Sequence, residues 1–276
     1  MKKNVIIIGA AKSGTSTLME HMDEHENVNT SAGKEPRYFC DGYYEEYLKR
    51  GIEYESLWEE DKGNVYLEAS TGYTKYPAVT GAAENMKEYG INPKIIYIVR
   101  DPIERMISHA RYMMWREENI NMEYLRESCV AASMYYTQSK RYLDRFGKER
   151  MKIIKIDGIS NNAEETVKDI FEFIEESTIK KIENKKKNVS KNVTNLELII
   201  RKSPVWKLKS FIPGKLKKKT RNLWSLFSES PHKDVIDGIE KAKIRKMCQD
   251  ALQLEDLFRI DLEPWRENIA RSELLD

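Results

Sequence analysis

Cysteine is scarce in this sequence, and long apolar runs are missing from it. The three cysteines, Cys40, Cys129 and Cys248, lie far apart and are odd in number, so they indicate neither a disulfide framework nor a metal-ligand spacing. A transmembrane helix would need about 20 consecutive apolar residues, and the apolar run at residues 5–8 is too short even for a signal peptide. These absences predict a protein of a reducing compartment, and we expect it in the cytoplasm.

A strong overall charge is missing as well, because the formal net charge is +2 in a chain with 33% charged residues. The charge balance therefore indicates no polyanionic partner for the chain as a whole. Hydrophobic residues make up 40% of the 276 residues, which suffices for a sizeable core and is unlike a disordered chain. This length fits one α/β domain, so we expect a single domain over residues 1–276.

Short apolar, β-branched runs alternate with segments of helical periodicity along the chain. Buried parallel strands are predicted at residues 5–8, 65–68, 94–99 and 151–156. Helices are predicted over residues 17–22, 82–89, 103–116, 131–146, 163–176 and 235–260. This alternation indicates a central parallel β-sheet flanked by helices. Pro264 and Trp265 are expected to mark the end of the packed domain.

A glycine-containing loop follows the first apolar run and leads into a helix, as at the opening of a nucleotide-binding βαβ unit. Helix N-termini have unpaired N–H groups and a partial positive charge, and glycine lets those groups approach a phosphate. Gly9 and Gly14 are five positions apart, as in a Walker A loop, but the lysine is Lys12, inside the loop. The pattern predicts an α/β, three-layer, P-loop-like fold.

Phosphate binding is the predicted function of this loop, because a lysine and several hydroxyl groups are clustered in it. The residues with this prediction are Lys12, Ser13, Gly14, Thr15, Ser16 and Thr17. The alternative is a tight strand–helix turn that binds no ligand. No Walker B aspartate follows an apolar strand, since Asp101 comes after Arg100 and before a proline. Magnesium-dependent phosphoryl transfer therefore matches less well, and we expect no metal requirement, although a P-loop kinase or nucleotide hydrolase stays open as an alternative.

A second anion site is predicted at Arg100, which ends the apolar run at residues 94–99. Ligands of open α/β sheets bind at the carboxyl ends of strands, and arginine recognises phosphate through two parallel hydrogen bonds. Ser108, on the following helix, can donate a hydroxyl to the same anion. The alternative is that Arg100 pairs with Asp101 or Glu104 in a structural network.

Two motifs, in this order, resemble those of sulfotransferases that use 3′-phosphoadenosine 5′-phosphosulfate (PAPS). Residues 11–18, Ala-Lys-Ser-Gly-Thr-Ser-Thr-Leu, resemble the 5′-phosphosulfate loop of that family. Residues 98–108, Ile-Val-Arg-Asp-Pro-Ile-Glu-Arg-Met-Ile-Ser, resemble its 3′-phosphate motif. The resemblance extends over residues 5–173, with a weaker match near Trp265.

The resemblance implies a set of contacts to the nucleotide. Residues 12–17 would bind the 5′-phosphosulfate, and Arg100 and Ser108 would bind the 3′-phosphate. A later segment, residues 185–191, resembles the loop that closes over the cofactor in this family. The residues implied there are Lys187, Ser190 and Lys191.

Residues 33–39, Gly-Lys-Glu-Pro-Arg-Tyr-Phe, resemble the segment of heparan-type glycan sulfotransferases that contains a catalytic glutamate, and Glu35 falls on that position. A carboxylate within hydrogen-bond reach can remove the acceptor proton as its oxygen attacks sulfur. Lys12 would offset the charge that grows on the departing phosphate oxygen. Lys34 and Arg37 are the predicted substrate-binding residues. The alternative for Lys34 and Glu35 is a surface ion pair of little energetic worth.

Histidine is a weaker candidate for the base. Cytosolic small-molecule sulfotransferases generally use a histidine, but the four present are ranked below Glu35 as solvated or structural groups: His21, His25, His109 and His232. Heparan enzymes also often have a lysine for their anionic glycan in the segment that matches residues 68–73. Ala69 stands at that position here, which argues against a heparin-like acceptor.

A basic, partly helical insertion is predicted at about residues 180–230. Residues 180–221 are rich in lysine and arginine, and their acidic residues are Glu183 and Glu197. This stretch could contact an anionic membrane or polymer surface, or could be a solvated helix pair with a basic outer face. No base-reading motif accompanies it, so no nucleic acid is expected.

Together these patterns predict a PAPS-dependent sulfotransferase. It would transfer a sulfuryl group to the hydroxyl of a carbohydrate, glycolipid or small-molecule acceptor and release adenosine 3′,5′-bisphosphate. A non-catalytic module that binds polyanions or membranes through its basic stretch is a further alternative. That alternative predicts that Glu35 can be changed without loss of function.

Overall fold

A five-stranded parallel β-sheet forms the centre of the protein in its computed structural model, which describes residues 2–60, 62–117, 119–176 and 238–273. In chain order the strands are β1 (Lys3–Gly9), β2 (Val28–Thr30), β3 (Val65–Ala69), β4 (Lys94–Val99) and β5 (Met151–Lys155). Across the sheet the order is β2-β3-β1-β4-β5, and every neighbouring pair is parallel. The predicted parallel sheet is confirmed.

Helices cover both faces of this sheet and are numbered over the described residues. They are α1 (Thr15–Asp23), α2 (Tyr43–Lys49), α3 (Ala82–Tyr89), α4 (Pro102–Arg116), α5 (Met122–Ala131), α6 (Tyr135–Phe146), α7 (Ile156–Asn161), α8 (Ala163–Phe173), α9 (Lys241–Phe258) and α10 (Glu263–Glu273). Short 3₁₀ helices are formed by Tyr54–Leu57, Thr71–Thr74 and Lys148–Arg150.

The three-layer arrangement follows from the alternation of side chains along the central strands. On one face of β1, Val5 and Ile7 pack in a cluster with residues of α1 and α8. On the other face, Ile6 and Ile8 pack in a cluster rich in aromatic rings, which includes residues of α3, α6 and α9. Because both faces of the strand are covered, its whole apolar run is buried, as expected of a central parallel strand.

The structure corrects several predicted boundaries. Strand β2 was not predicted, because three residues are too short to give a periodic signal. The helix predicted from residue 131 begins at Tyr135, since Ala131 ends a separate helix, α5, whose first turn is capped by Asn121. The packed domain does not end at Pro264. Pro264 lies in the first turn of α10, where proline is favoured, and Trp265 is buried with its ring 6.0 Å from that of Tyr135.

The strand order brings the predicted site segments to one edge of the sheet. Strand β1 lies between β3 and β4, so the loops that leave the carboxyl ends of these three strands are neighbours. The chain runs from β1 through β2 and β3 on one side of β1 and then crosses to β4 and β5 on the other side, so the strand order reverses beside β1. α/β sheets bind ligands at such a switch point. The predicted insertion at about 180–230, with Lys187, Ser190 and Lys191, lies outside the described residues.

A carboxylate of α9 caps the start of α6. Asp250 accepts hydrogen bonds from the backbone N–H groups of Tyr136 (2.9 Å) and Thr137 (3.1 Å), and from the Thr137 hydroxyl (2.5 Å). Met134, at the N-cap position, forms no such bond itself. Asp250 therefore satisfies unpaired donors of a helix that is distant in sequence.

We expect Asp250→Ala to lower the free energy of unfolding by about 1–3 kcal/mol, because it leaves half-buried backbone donors without an acceptor. Urea denaturation followed by circular dichroism measures this. Asp169→Ala is the control, since Asp169 forms an exposed ion pair with Lys152 and should change stability by less than about 1 kcal/mol. Equal denaturation midpoints for Asp250→Ala and the unaltered protein would contradict the capping role.

Candidate functional site

The loop after β1 is shaped to expose backbone N–H groups at the start of α1. The N–H of Ala10 donates to the carbonyl of Ile98 at 2.7 Å, which joins the loop to the end of β4. Lys12 and Gly14 both have positive φ, +72° and +88°, and glycine adopts this conformation without strain. Gly14 is also the N-cap residue of α1 and has no side chain to bond the first-turn N–H groups. Those donors suit an anion at the helix N-terminus.

Three cations from three separate segments converge on this loop: Lys12, Lys34 and Arg100. Burial, followed by the positive charges of Arg100 and Lys34, lowers the pKa of Lys12. The Lys34 ammonium donates to the Ser16 hydroxyl at 2.5 Å, and the Lys12 ammonium lies 4.8 Å from the centre of the Tyr112 ring. Because like charges repel, an anion bound among these groups would stabilise all three.

Ser13 gives a second indication that the loop fits an anionic group. Its side chain is fully buried, and its hydroxyl has no hydrogen-bond partner among the described residues. Buried polar atoms in proteins are nearly always hydrogen-bonded, so such an atom usually indicates a missing partner. A phosphate or sulfate oxygen would supply that partner.

Arg100 is held by an acidic neighbour on α4. Its guanidinium donates to one oxygen of Glu104 at 3.0 and 2.7 Å, while Asp101 instead caps α4 by accepting from the backbone N–H of Glu104 at 2.9 Å. Of the two pairings weighed from the sequence, the one with Glu104 is formed. This ion pair is partly exposed and therefore weak. Ser108 lies one turn after Glu104 on the same face of α4.

Glu35 is hydrogen-bonded on both of its oxygens. One accepts from the Thr71 hydroxyl at 3.1 Å and the other from the Arg37 guanidinium at 3.2 Å, and the side chain is 24% exposed. The surface ion pair of Lys34 with Glu35 is not formed, because Lys34 reaches back to Ser16. Lys34 thus joins the segment of Glu35 to the loop of Lys12, which places the predicted base and the predicted phosphate loop side by side.

The structure adds two residues that sequence reasoning missed. Lys75 follows the 3₁₀ helix Thr71–Thr74 and is half-buried; burial and then the charge of Arg37 lower its pKa, while Glu35 raises it. Glu68 is fully buried in β3 and accepts hydrogen bonds from Tyr54 (2.8 Å), Tyr73 (2.9 Å) and Ser70 (2.9 Å). An acidic residue inside an apolar strand was the available signal for Glu68.

The described histidines have structural surroundings. His109 is buried with its Nδ1 atom 3.2 Å from the Arg105 guanidinium, and burial, together with nearby cations, lowers its pKa to about 2. The His25 ring stacks on Phe171 with 4.7 Å between centroids. His21 is buried, and His232 lies outside the described residues. His109 is therefore neutral at physiological pH and bonded to an arginine.

The described residues contain neither a candidate metal site nor a candidate membrane span. No group of three or more histidine, cysteine, aspartate or glutamate side chains within the described ranges is arranged to hold a metal ion. None of the helices in the same ranges is both long and apolar enough to span a bilayer.

Known proteins similar to this chain share one domain type. A family model described as "Sulfotransferase domain" matches residues 2–222. The membrane-associated sulfotransferase kil1 of Dictyostelium discoideum is 29% identical over 167 residues, which are 56% of this chain and 34% of the relative. Heparan sulfate glucosamine 3-O-sulfotransferase 3B1 of Mus musculus is 30% identical over 109 residues, 37% of this chain and 25% of the relative. The chain thus spans about a third and a quarter of these relatives' lengths.

A solved structure supports the same fold. The crystal structure of a sulfotransferase from Alicyclobacillus acidocaldarius superimposes with a TM-score of 0.62 at 22% identity, and the match covers 96% of this chain and 99% of that one. The likeness confirms the three-layer α/β fold predicted from the sequence.

The buried carboxyl of Glu68 leads to a pH-dependent prediction about stability. Burial raises its pKa from 4.5 to about 7, although the three hydroxyl donors act in the opposite direction. Between these pH values the unfolded chain releases the proton while the folded protein retains it. The free energy of unfolding therefore falls as the pH rises from about 4.5 to 7 and levels off above that.

Glu68→Gln removes this titration. As the pH rises from 5 to 8, the free energy of unfolding of the variant should therefore increase by about 2–3 kcal/mol relative to that of the unaltered protein. Urea denaturation at both pH values measures the change. Glu46→Gln, in an exposed pair with Arg50, should show no such gain. A stability difference between Glu68→Gln and the unaltered protein that does not vary with pH would refute the assigned pKa.

Proposed function

This chain belongs to the sulfotransferase domain family, with similarity to the heparan-type members, and from that premise we propose that it transfers a sulfuryl group from PAPS to an acceptor hydroxyl of a carbohydrate or glycolipid. The observation that carries the proposal is the convergence of Lys12, Lys34 and Arg100 beside the carboxylate of Glu35. One side of this site suits a nucleotide with several negative charges. The other side suits a proton-bearing acceptor.

The proposed nucleotide contacts follow the two motifs. Residues 12–17 would bind the 5′-phosphosulfate through backbone N–H groups, hydroxyls and the Lys12 ammonium. Arg100 and Ser108 would bind the 3′-phosphate, with Arg100 exchanging its weak pairing with Glu104 for that phosphate. When bound, PAPS supplies a sulfuryl group activated by a phosphate leaving group. The buried hydroxyl of Ser13 would gain a partner in the same event.

Glu35 is proposed as the general base. Thr71 and Arg37 each donate to one of its oxygens, which fixes the orientation of the carboxylate. The acceptor oxygen forms a bond to sulfur, the bond from sulfur to the phosphate oxygen breaks, and Glu35 takes the acceptor proton. Lys12 offsets the charge left on that phosphate oxygen. Lys34 and Arg37 would contact the acceptor beside the base.

A carbohydrate acceptor is supported by the match to a heparan sulfate sulfotransferase. Contact with an anionic surface is supported by the basic composition of residues 180–221. The match covers only a quarter of that relative's length, so the acceptor is proposed as a class. The basic stretch lies outside the described residues, and its proposed contact with anionic surfaces is inferred from its composition. We propose a cytoplasmic location from the cysteine content.

A nucleotide comparison separates this proposal from a P-loop kinase or nucleotide hydrolase. A ligand that binds the folded state raises the melting temperature. Adenosine 3′,5′-bisphosphate without metal should raise it more than ATP with Mg²⁺, because Arg100 is proposed to bind a 3′-phosphate. The reverse order would favour phosphoryl transfer instead.

Arg100→Ala should weaken binding of adenosine 3′,5′-bisphosphate about 10- to 100-fold, because charged hydrogen bonds contribute roughly 1.5–3 kcal/mol. Binding of adenosine 5′-monophosphate, which has no 3′-phosphate, should change little. Isothermal titration calorimetry measures both. Arg150→Ala is the control. Arg150 lies just before β5, at the opposite edge of the sheet, and donates to the carbonyl of Asn92. A parallel loss for both nucleotides would remove Arg100 from the 3′-phosphate site.

Glu35→Gln should lower the turnover of sulfuryl transfer by about 10²-fold or more, because the amide cannot accept the acceptor proton. Binding of adenosine 3′,5′-bisphosphate should persist. A transfer assay with ³⁵S-labelled PAPS over glycans, glycolipids and small phenols measures turnover, with Glu46→Gln as the matched control at an exposed ion pair. Undiminished sulfation by Glu35→Gln would remove it as the base.

A further inference from the structure

A buried carboxylate lies directly behind the proposed base. Glu68 forms no ion pair within the described part of the chain, and its hydrogen-bond partners there are three hydroxyl groups. Two of those hydroxyls, on Ser70 and Tyr73, also contact the segment that contains Glu35. Ser70 accepts from the backbone N–H of Arg37 at 3.0 Å, and Tyr73 accepts from the backbone N–H of Phe39 at 3.3 Å.

The direction of these hydrogen bonds is determined by the carboxylate. A hydroxyl has one hydrogen to donate, and an ionised carboxylate can only accept. Ser70 and Tyr73 therefore donate to Glu68, and their oxygens are left to accept from the N–H groups of Arg37 and Phe39. The charge of Glu68 thus orients two hydroxyls that each hold one backbone N–H of the base segment.

We propose that Glu68 is a positioning residue for catalysis, which acts through Ser70 and Tyr73 to fix the backbone that follows Glu35. The inference rests on the proposed role of Glu35 as base. Thr71, next to Ser70, donates directly to the Glu35 carboxylate, so the strand end that contains Glu68 contacts both the base and its backbone. A misplacement of about 1 Å can cost a factor of about 10² in rate, which makes this support consequential.

We call these hydrogen bonds the relay: Ser70 and Tyr73 donate to Glu68 and accept from the N–H groups of Arg37 and Phe39. Protonation of Glu68 changes the relay. A protonated carboxyl donates a hydrogen bond, so one of the hydroxyls no longer has an acceptor for its own hydrogen, and the arrangement that holds the base segment loosens. Burial raises the pKa of Glu68 to about 7, within the range where an enzyme works. The ionised form is the one that positions Glu35, so turnover should rise as the pH increases through neutrality.

The pKa values of the tyrosines and the thiol around Glu68 lie well above that of Glu68 itself. Tyr54 faces it from the 3₁₀ helix Tyr54–Leu57, Tyr73 from its own segment and Tyr142 from α6, and burial raises the pKa of each tyrosine well above 10. Cys40 faces it from the base segment, and burial raises the pKa of this thiol to about 12. Further charges near these groups belong to Arg37, Asp41, Glu55 and Lys75. Among these tyrosines, the thiol and Glu68, the group expected to change charge near pH 7 is therefore Glu68.

Matched hydroxyl deletions test the relay. Ser70→Ala and Tyr73→Phe should each lower kcat about tenfold, with unchanged affinity for adenosine 3′,5′-bisphosphate. Tyr142→Phe is the control, because it removes an equally buried hydroxyl that donates to the carbonyl of Tyr73, whereas the N–H groups of Arg37 and Phe39 donate to Ser70 and Tyr73. Glu68→Gln should abolish the rise of kcat near pH 7 while the affinity for the nucleotide stays the same.

Amide hydrogen exchange of Arg37 and Phe39 supplies a readout that needs no substrate. Exchange at these two amides should become at least about tenfold faster in Ser70→Ala, Tyr73→Phe and Glu68→Gln, and not in Tyr142→Phe. Unchanged exchange in the relay variants would overturn the relay, and faster exchange with unchanged kcat would overturn the positioning role. An equal loss of kcat in Tyr142→Phe would also overturn it. If the unaltered protein transfers no sulfuryl group from PAPS, the proposed function fails, and the positioning role with it, while the exchange result still decides the relay.

Discussion

Repulsion among like charges at one edge of the sheet is the constraint around which this protein is built. The strand order places Lys12 and Arg100 at neighbouring strand ends, and the base segment adds Lys34. The fold tolerates them because each has a weak partner: an aromatic face for Lys12, a hydroxyl for Lys34 and Glu104 for Arg100. Among these three partners only Glu104 carries a negative charge, and its ion pair with Arg100 is partly exposed. The edge therefore retains a positive potential that selects anions.

A second layer of polar groups supports this edge from beneath. Buried polar groups destabilise a fold unless they are hydrogen-bonded, and Glu68 meets that condition with hydroxyl groups instead of a cation. An arginine or lysine in contact with Glu68 would have lowered its pKa and made it inert near neutrality. Hydroxyl donors leave the carboxyl close to its titration point. The interior is thus less stable than an apolar one and more responsive to pH.

The parts of the fold that follow local patterns could be predicted from the sequence. Strand β1, strand β4 and the glycine loop are continuous in sequence, so their apolar runs and spacing were sufficient. The partners of Glu35 could not be predicted, because Thr71 is brought to it by strand pairing, and a single sequence does not record which strands are neighbours. Lys75 was missed for the same reason. The pairing of Arg100 with Glu104 was among the alternatives because it spans one helical turn.

The acceptor that caps α6 has a consequence for synthesis on the ribosome. The capped N–H groups belong to Tyr136 and Thr137, and Asp250 is made more than a hundred residues later. The sheet strands precede Asp250 in the chain, so the sheet can assemble while the first turn of α6 still lacks its acceptor. Helix α6 also presents Tyr135, which holds the carbonyl of Arg100. Vectorial translation therefore makes every strand of the sheet before it makes the acceptor that supports α6, which bonds one of the anion-binding segments.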